Sequence, residues 1–348
     1  MLIAMVHGQS VLANRNLQRV RFICPVCKQP VILRAGQIKV AHFAHIKGGD
    51  CAASEGETSE HLLGKKQLYA WAVKRHFSPR YEVYLSAIKQ RPDLLIKIGA
   101  RTVALEYQCS PISLARLQER NRGYQKLNII VWWILGAPYQ QRRLSNVKIA
   151  QFTQKIAGRL GLLFWSTTTK KFMYGGHYQL IDFCKTNRPH MTSREIVIQQ
   201  TKTIDRQLMQ GHERLEKIVQ HCYQAGHLFS GIPIVAHYSK QHWPAAIYGL
   251  TIWQTQVLLQ LEQEPINRQW SLEDWFGWLK QDNSQEWLSF PCLPTDYVKI
   301  HYFKQFTLQL KRYHIISLNR NVTYVNAPEW FNDGTKKMNY LKNNSEWQ

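Results

Sequence analysis

At 348 residues, 45% of them apolar and 12 of them Trp, the chain is globular with room for two or three domains, not disordered. Its longest apolar run, Ile129–Ala137, is too short to cross a bilayer, and Met1–Val11 has neither the basic start nor the long apolar core of a signal peptide. A net charge of +22 points to a polyanionic partner, and seven Cys, an odd number without a secretory signal, point to a reducing cytoplasm.

Residues 1–20 alternate apolar and small side chains around His7-Gly8 and predict a short hairpin. Cys24-Pro-Val-Cys27 has the spacing of a metal knuckle; His42-x-x-His45 follows after fourteen residues, and Cys51 comes six further on. Two Cys and two more N or S donors make the tetrahedral set of a structural Zn²⁺. The intervening VILRAGQIKV predicts a hairpin that returns the chain to the knuckle. Cys24, Cys27, His42, His45 and Cys51 are thus five candidates for four places, with Cys24, Cys27 and His45 preferred and either Cys51 or His42 as the fourth. A redox CxxC is the weaker reading, because no βαβ context follows. A metal here would fold an extension too small to bury its own core.

Glu55–His76 carries Leu62, Leu63, Leu68, Trp71, Ala72 and Val73 at helical spacing, with Thr58 or Ser59 as cap. Glu57, His61 and Lys65 fall at i, i+4 and i+8 on one stripe, whose bland alternative is a solvated polar face. Arg91–Ser110, RPDLLIKIGARTVALEYQCS, then predicts a β-hairpin turning at Gly99-Ala100. Side chains two apart on a strand share a face, so Glu106 and Gln108 project together with the Tyr107 carbonyl between them. The hairpin also brings Asp93 alongside Glu106. Two carboxylates and a carbonyl at a sheet edge suit a hard cation such as Mg²⁺ or Mn²⁺. Ile112–Tyr124 predicts a second helix and Asn128–Leu135 a buried strand.

The resulting order, αβββαβ with acids at those points, is the core of PD-(D/E)XK nucleases. In that reading Asp93 and Glu106 hold the metal with the Tyr107 carbonyl. Glu57 completes a second metal or orients the water, and His61 shuttles a proton or orders Glu57. Gln108 stands where the motif often has Lys. An amide positions a water but supplies no positive charge, so Lys65 is the candidate to replace it.

Charge distribution agrees. Residues 1–49 carry seven Lys or Arg and no acid, residues 107–181 carry eleven and only Glu119, and residues 50–106 hold seven acids. Acids gathered between basic flanks suit a metal pocket within a DNA-binding surface. Further along, Lys148–Arg159 predicts a helix, and Leu160–Trp165 and Lys171–Leu180 predict paired strands. Phe164, Trp165, Phe172 and Tyr174 are candidates for stacking on bases, though sheet core is their commoner fate. Lys185–Ser193 marks a boundary. Beyond it Ser193–Gln220, Ala246–Gln263, Ser271–Lys280 and Tyr297–Tyr313 predict helices, HIISLNRNVTYV a hairpin, and residues 332–348 a frayed end.

The motifs ETSEHLLGK, RPDLL, ALEYQCSPIS, RGYQ and VWWIL, with CPVC and HFAH before them, resemble the competence protein CoiA family over about residues 1–180. The resemblance implies a cytoplasmic bacterial protein that processes or recombines incoming single-stranded DNA during transformation. It also implies Zn²⁺ at the CPVC…HFAH pattern and recombination proteins as partners, with no membrane involved. The expected fold class is α/β, organised as a zinc-binding β extension (1–53), a restriction-endonuclease-like PD-(D/E)XK domain with the αβββαβ core (54–184) and a mostly helical C-terminal domain (185–348). The expected activity is Mg²⁺-dependent hydrolysis of DNA; the alternative, from a different class, is a non-catalytic DNA-binding recombination mediator that keeps the nuclease fold. That alternative explains the basic flanks equally well but gives no reason for carboxylates converging on phosphates.

Overall fold

The opening hairpin is β1 (Ile3–Val6) and β2 (Gln9–Leu12), turned by His7 and Gly8, both in the left-handed region. This computed structural model describes residues 1–18, 20–36, 39–46, 51, 57–184, 191–281 and 287–344. β3 (Phe22–Ile23), β4 (Pro30–Arg34) and β5 (His42–His45) extend the hairpin into a five-stranded antiparallel sheet of order β2-β1-β3-β4-β5. Ala4, Phe22, Val31 and Phe43 form its small core with Cys24. The strand that pairs with β4 is HFAH, where alternation in AHFAH sends Ala41 and Phe43 inward. Residues 37 and 38 lie outside the described set.

Thr58 accepts a hydrogen bond from the His61 N–H and starts α1 (Ser59–Lys74); residues 55 and 56, which the sequence adds to this helix, lie outside the description. Then follow β6 (Arg80–Tyr81), the hairpin β7 (Leu94–Ile98) and β8 (Arg101–Gln108), α2 (Leu114–Lys126) and β9 (Ile130–Leu135). Leu94 faces Leu105 across the hairpin, and β9 runs parallel to β8 after the helical crossover. Short α3 (Ala137–Gln140) and α4 (Asn146–Phe152) lead to β10 (Gln154–Ile156), β11 (Arg159–Ser166) and β12 (Lys171–Gly175). The sheet order is β10-β11-β9-β8-β7-β6, with β12 also on β11.

Leu68 and Ala72 of α1 meet Leu94, Ile96, Val103 and Leu105 on one face, while Tyr124 of α2 meets Leu95 and Ala104 on the other. Gly64 lets α1 lie directly on the Tyr107 ring, which a Cβ at that position would overlap. The helix expected over Lys148–Arg159 ends at Phe152. There the Gln154 amide donates to the Trp133 carbonyl at 2.6 Å and accepts the Trp133 N–H at 3.3 Å, and Ala157-Gly158 turn the chain at positive φ. Phe164 and Trp165 are buried and Phe172 packs on Trp71 and Trp165, so these rings are core; Tyr174 is exposed.

The chain divides into two units, Met1–Gly176 with Pro291–Leu293, and His177–Phe290 with Pro294–Gln348. The boundary segment expected at Lys185–Ser193 falls largely on residues 185–190, outside the description. The second unit is mostly helical: α5 (Ser193–Met209), α6 (Glu213–Gln224), α7 (Leu250–Leu261), α8 (Leu272–Gln281), α9 (Tyr297–Arg312) and α10 (Gly334–Asn343). A small sheet of order β13-β15-β14 joins Gln269–Trp270 (β13), Ile316–Leu318 (β14) and Val322–Tyr324 (β15). The single helix expected over Ser193–Gln220 breaks at Gly211, at φ +61°. The helix expected from Ala246 starts only at Leu250, where Asp182 accepts the Thr251 N–H at 2.9 Å. The end expected to fray instead holds α10, capped by Asp333 and anchored by buried Lys337 and Leu341. Among the described residues no helix is long and apolar enough to cross a membrane.

Candidate functional site

The turn between β3 and β4 presents Cys24 and Cys27. Its shape comes from Cys24 N–H donating to the Gln29 carbonyl at 2.8 Å and Lys28, at φ +61°, donating to the Cys24 carbonyl at 3.1 Å. Cys24, Cys27, His45 and Cys51 each offer a ligand atom within 4.8 Å of the others, with Cys27 Sγ 3.2 Å from His45 Nε2. The Val26 N–H points at Cys24 Sγ from 3.4 Å. His42, the fifth candidate, stands outside the group and bonds the Val40 carbonyl through Nδ1 at 2.9 Å. Strand alternation explains this, since residues three apart on β5 project from opposite faces. Burial, aided by Arg91 and the Met1 amino group, holds the His45 imidazole below its ordinary range and therefore neutral, as a ligand must be. Three sulfurs and one imidazole have the donor chemistry of a tetrahedral Zn²⁺ site.

A second cluster forms where β7 begins and β8 ends, beside the first turn of α1. Asp93 Oδ2 accepts the Tyr107 N–H at 2.9 Å and lies 3.0 Å from His61 Nε2. Glu57 Oε1 is 4.0 Å from His61 Nδ1. Each of the three residues offers a ligand atom within 4.8 Å of the other two, and all three line a cavity of about 390 Å³. His61 comes from the first turn of α1 and Glu57 from ahead of its Thr58 cap, outside the helix on which the sequence places it, while Asp93 stands just before β7.

Lys65, third on the stripe, turns inward and does not line the cavity. It is fully buried, donates to Glu57 Oε1 and Glu82 Oε1 at 2.5 Å each, and lies 3.6 Å from Asp93 Oδ1. Burial opposes its charge, but Glu82, Glu57 and Asp93 outweigh burial and hold the ammonium well above the usual lysine range. Burial likewise opposes Glu57, yet Lys65, the Met1 amino group and His61 bring it down to about 2. Against the same opposition, His61 and Lys65 hold Asp93 well below the carboxylate range, and Asp93 raises His61 above its ordinary value. The acids are therefore ionised before any ligand arrives.

Glu106 and Gln108 share a face and both line the cavity, but Glu106 stands beside the tight cluster, not in it. Its Oε1 accepts from Arg120 and from the Tyr124 hydroxyl, both on α2. Burial holds the Glu106 carboxyl above its usual range even with Arg120 against it. Gln108 Nε2 donates to the Ser110 carbonyl at 2.5 Å. Tyr107, read for its carbonyl, gives its N–H to Asp93 and its hydroxyl to Glu60 at 2.9 Å.

Sequence reasoning missed Glu82, Arg120 and Tyr124. The i, i+4 spacing of the last two on α2 was a readable signal; Glu82, in EVYLSA, carried none. Its carboxylate accepts the Leu2 N–H with both oxygens at 2.9 Å and the Ile3 N–H at 3.2 Å, joining the β1 strand to the cluster.

Residues 57–215 match the family described as "Competence protein CoiA, nuclease-like domain", and residues 7–54 match "Competence protein CoiA, N-terminal domain". Over 143 residues the chain is 38% identical to Competence protein CoiA of Bacillus subtilis (strain 168), a match covering 41% of this chain and only 38% of that protein. No solved structure is a significant match. The two family matches divide where the Cys/His sheet ends and the acidic cavity begins, and together they establish that the chain belongs to the competence protein CoiA family.

Proposed function

We propose that this competence-related chain is a divalent-metal-dependent deoxyribonuclease with a PD-(D/E)XK core, acting on DNA handled during transformation. The observation that carries this reading is the convergence of Glu57, His61 and Asp93 on one cavity, with the two carboxylates ionised and a ligand atom of each residue within 4.8 Å of the others. The order α1, β6–β8, α2, β9 supports the nuclease core. A donor set with an imidazole suits Mn²⁺ at least as well as Mg²⁺. When bound, such a cation polarises a phosphoryl oxygen and acidifies a water.

The protein's own residues do the rest. Tyr107 N–H fixes the orientation of Asp93, Lys65 holds Glu57 and Glu82 from beneath, and Glu106, kept in place by Arg120 and Tyr124, flanks the cavity. The Gln108 amide at the rim is placed to orient a water. In this proposal Zn²⁺ at Cys24, Cys27, His45 and Cys51 is structural, DNA is the partner, and the setting is the cytoplasm.

One observation favours the alternative of a non-catalytic DNA-binding mediator: the Lys65 ammonium already neutralises the carboxylates that a metal would share. The two readings part in a cleavage assay on single-stranded, duplex and branched DNA with Mg²⁺ or Mn²⁺. Cutting by the wild type that is lost in Asp93→Asn and His61→Ala, with DNA binding retained, is the expected result. Binding without cutting in either metal would leave the mediator reading in place.

A further inference from the structure

In the second unit the elements follow the order α7, β13, α8, α9, β14, β15, and the strands lie as β13-β15-β14 with both pairings antiparallel. This is the topology of a winged helix-turn-helix: three helices, then a hairpin whose second strand returns between the other two. One core holds it together. Trp253 of α7 stacks on Phe303 and meets Phe306 of α9 edge-on, each at 5.3 Å. The Trp275 indole of α8 donates to Thr307 of α9 at 2.8 Å, and Trp270 of β13 packs on Trp275. The connection from α8 to α9 is longer than a usual helix-turn-helix turn. The corner is kept all the same, because Lys280 at the end of α8 lies 3.3 Å from Asp296 at the start of α9.

With its inner face fixed on α7 and α8, α9 presents its outer face to solvent. Val298, Tyr302, Phe303, Phe306 and Leu310 are buried, whereas Lys304, Leu308, Lys311 and Arg312 are exposed. Leu308 is an apolar side chain left 59% exposed among cations. The hairpin tip, Asn319-Arg320-Asn321, is exposed as well. Residues 297–328 hold five Lys or Arg and no acid, so α9 and the hairpin are basic throughout.

Charge sorted in this way complements a polyanion, and the topology says which one. An open-faced helix fits the major groove of a duplex, where an apolar side chain meets thymine methyls and flanking cations meet phosphates. A protein partner would need a broader apolar centre than one leucine among cations.

We propose that α7–α9 and β13–β15 form a module that binds duplex DNA, with α9 in the major groove and the Arg320 tip on the neighbouring backbone. This goes beyond the cleavage site: none of these residues lines the acidic cavity, and the module does not depend on whether that cavity cuts.

The test is binding of the full chain, in EDTA, to a fluorescent duplex and to one of its strands alone. Wild type is compared with the triple variant Lys304→Ala/Lys311→Ala/Arg320→Ala, and circular dichroism checks folding, which substitution of exposed side chains should spare. The variant is expected to bind the duplex at least roughly tenfold more weakly, with a log affinity against log salt slope shallower by about 2 to 3. Its binding to the single strand is expected to match wild type. Lysine acetylation of wild type supplies a second readout, in which the duplex is expected to shield Lys304 and Lys311. Unchanged duplex binding with both lysines unshielded would overturn the proposal and leave α9 to a protein partner. Equal losses on duplex and single strand would overturn it too, since they mark a general basic surface. Failure of wild type to bind duplex overturns the module even if the cavity cuts single strands. Weakened duplex binding in a protein that cuts no DNA supports the module and counts against the cleavage reading alone.

Discussion

Replacing Lys65 with Met deletes an ammonium group while keeping most of its volume. Three carboxylates lose their common partner: Glu57 at 2.5 Å, Glu82 at 2.5 Å and Asp93 at 3.6 Å. Breaking a buried ion network by removing one member costs about 3–5 kcal/mol. Glu57 keeps the Met1 amino group at 2.7 Å, Glu82 keeps Arg91 at 3.6 Å and Asp93 keeps His61 at 3.0 Å, so each carboxylate retains a partner and the low end applies. About 3 kcal/mol corresponds to a fall in Tm of roughly 6–12 °C for a unit of this size. A divalent cation should then substitute for the ammonium. At a concentration one hundred times its Kd it returns about 2.7 kcal/mol. The assay is thermal unfolding of wild type and variant in EDTA and in Mn²⁺. A loss below about 1 kcal/mol in EDTA would refute the hub role of Lys65, and Mn²⁺ stabilising the variant no more than wild type would refute a shared cation position.

Cys24→Ser should lower zinc content and make the β1–β5 sheet protease-sensitive, whereas His42→Ala should keep its zinc; equal zinc loss in both would return His42 to the ligand set. Gly64→Ala forces α1 off the Tyr107 ring and should destabilise the chain by about 1–3 kcal/mol in urea unfolding, and a neutral result would mean that the helix shifts freely. In the second unit, burial pushes the Lys337 amine down to about 7 despite Asp205, and the amine bonds a His237 that burial keeps neutral. The unfolded chain holds that proton up to the ordinary 10.5 and the folded chain does not, so stability should rise with pH across that window. Lys337→Met should abolish the rise; an unchanged slope of the urea midpoint would assign it to other groups.

The parts of the site carried by local periodicity were readable. Alternation located the hairpin and its turn at Gly99-Ala100; Glu57 and His61 do come together, but Glu57 stands ahead of the Thr58 cap and not on the helix. The choice between His42 and His45 also lay in the sequence, because a pair spaced by three on a strand cannot face one metal. What was hidden depends on contacts distant in sequence. Glu106 looked free to bind metal until α2 brought Arg120 and Tyr124 onto it. Lys65 read as the cation that replaces the charge missing at Gln108 until Glu82, seventeen residues on, met it inside. Helix ends were misjudged where a side chain overrode pattern, as at Gln154 and Asp333.

Glu82 has a consequence for how the two family domains relate. It sits at φ +48°, a left-handed conformation costly for a residue with a side chain, and spends its two oxygens on the N–H groups of β1 and on Lys65. Separating the Cys/His sheet from the rest would take the Leu2 and Ile3 N–H groups from this carboxylate, 1% exposed, and leave it only Lys65 and Arg91. The boundary visible in sequence between the family domains is therefore not a seam in the protein. An exchange of the N-terminal sheet between relatives should therefore succeed only where the strand that meets Glu82 keeps its register.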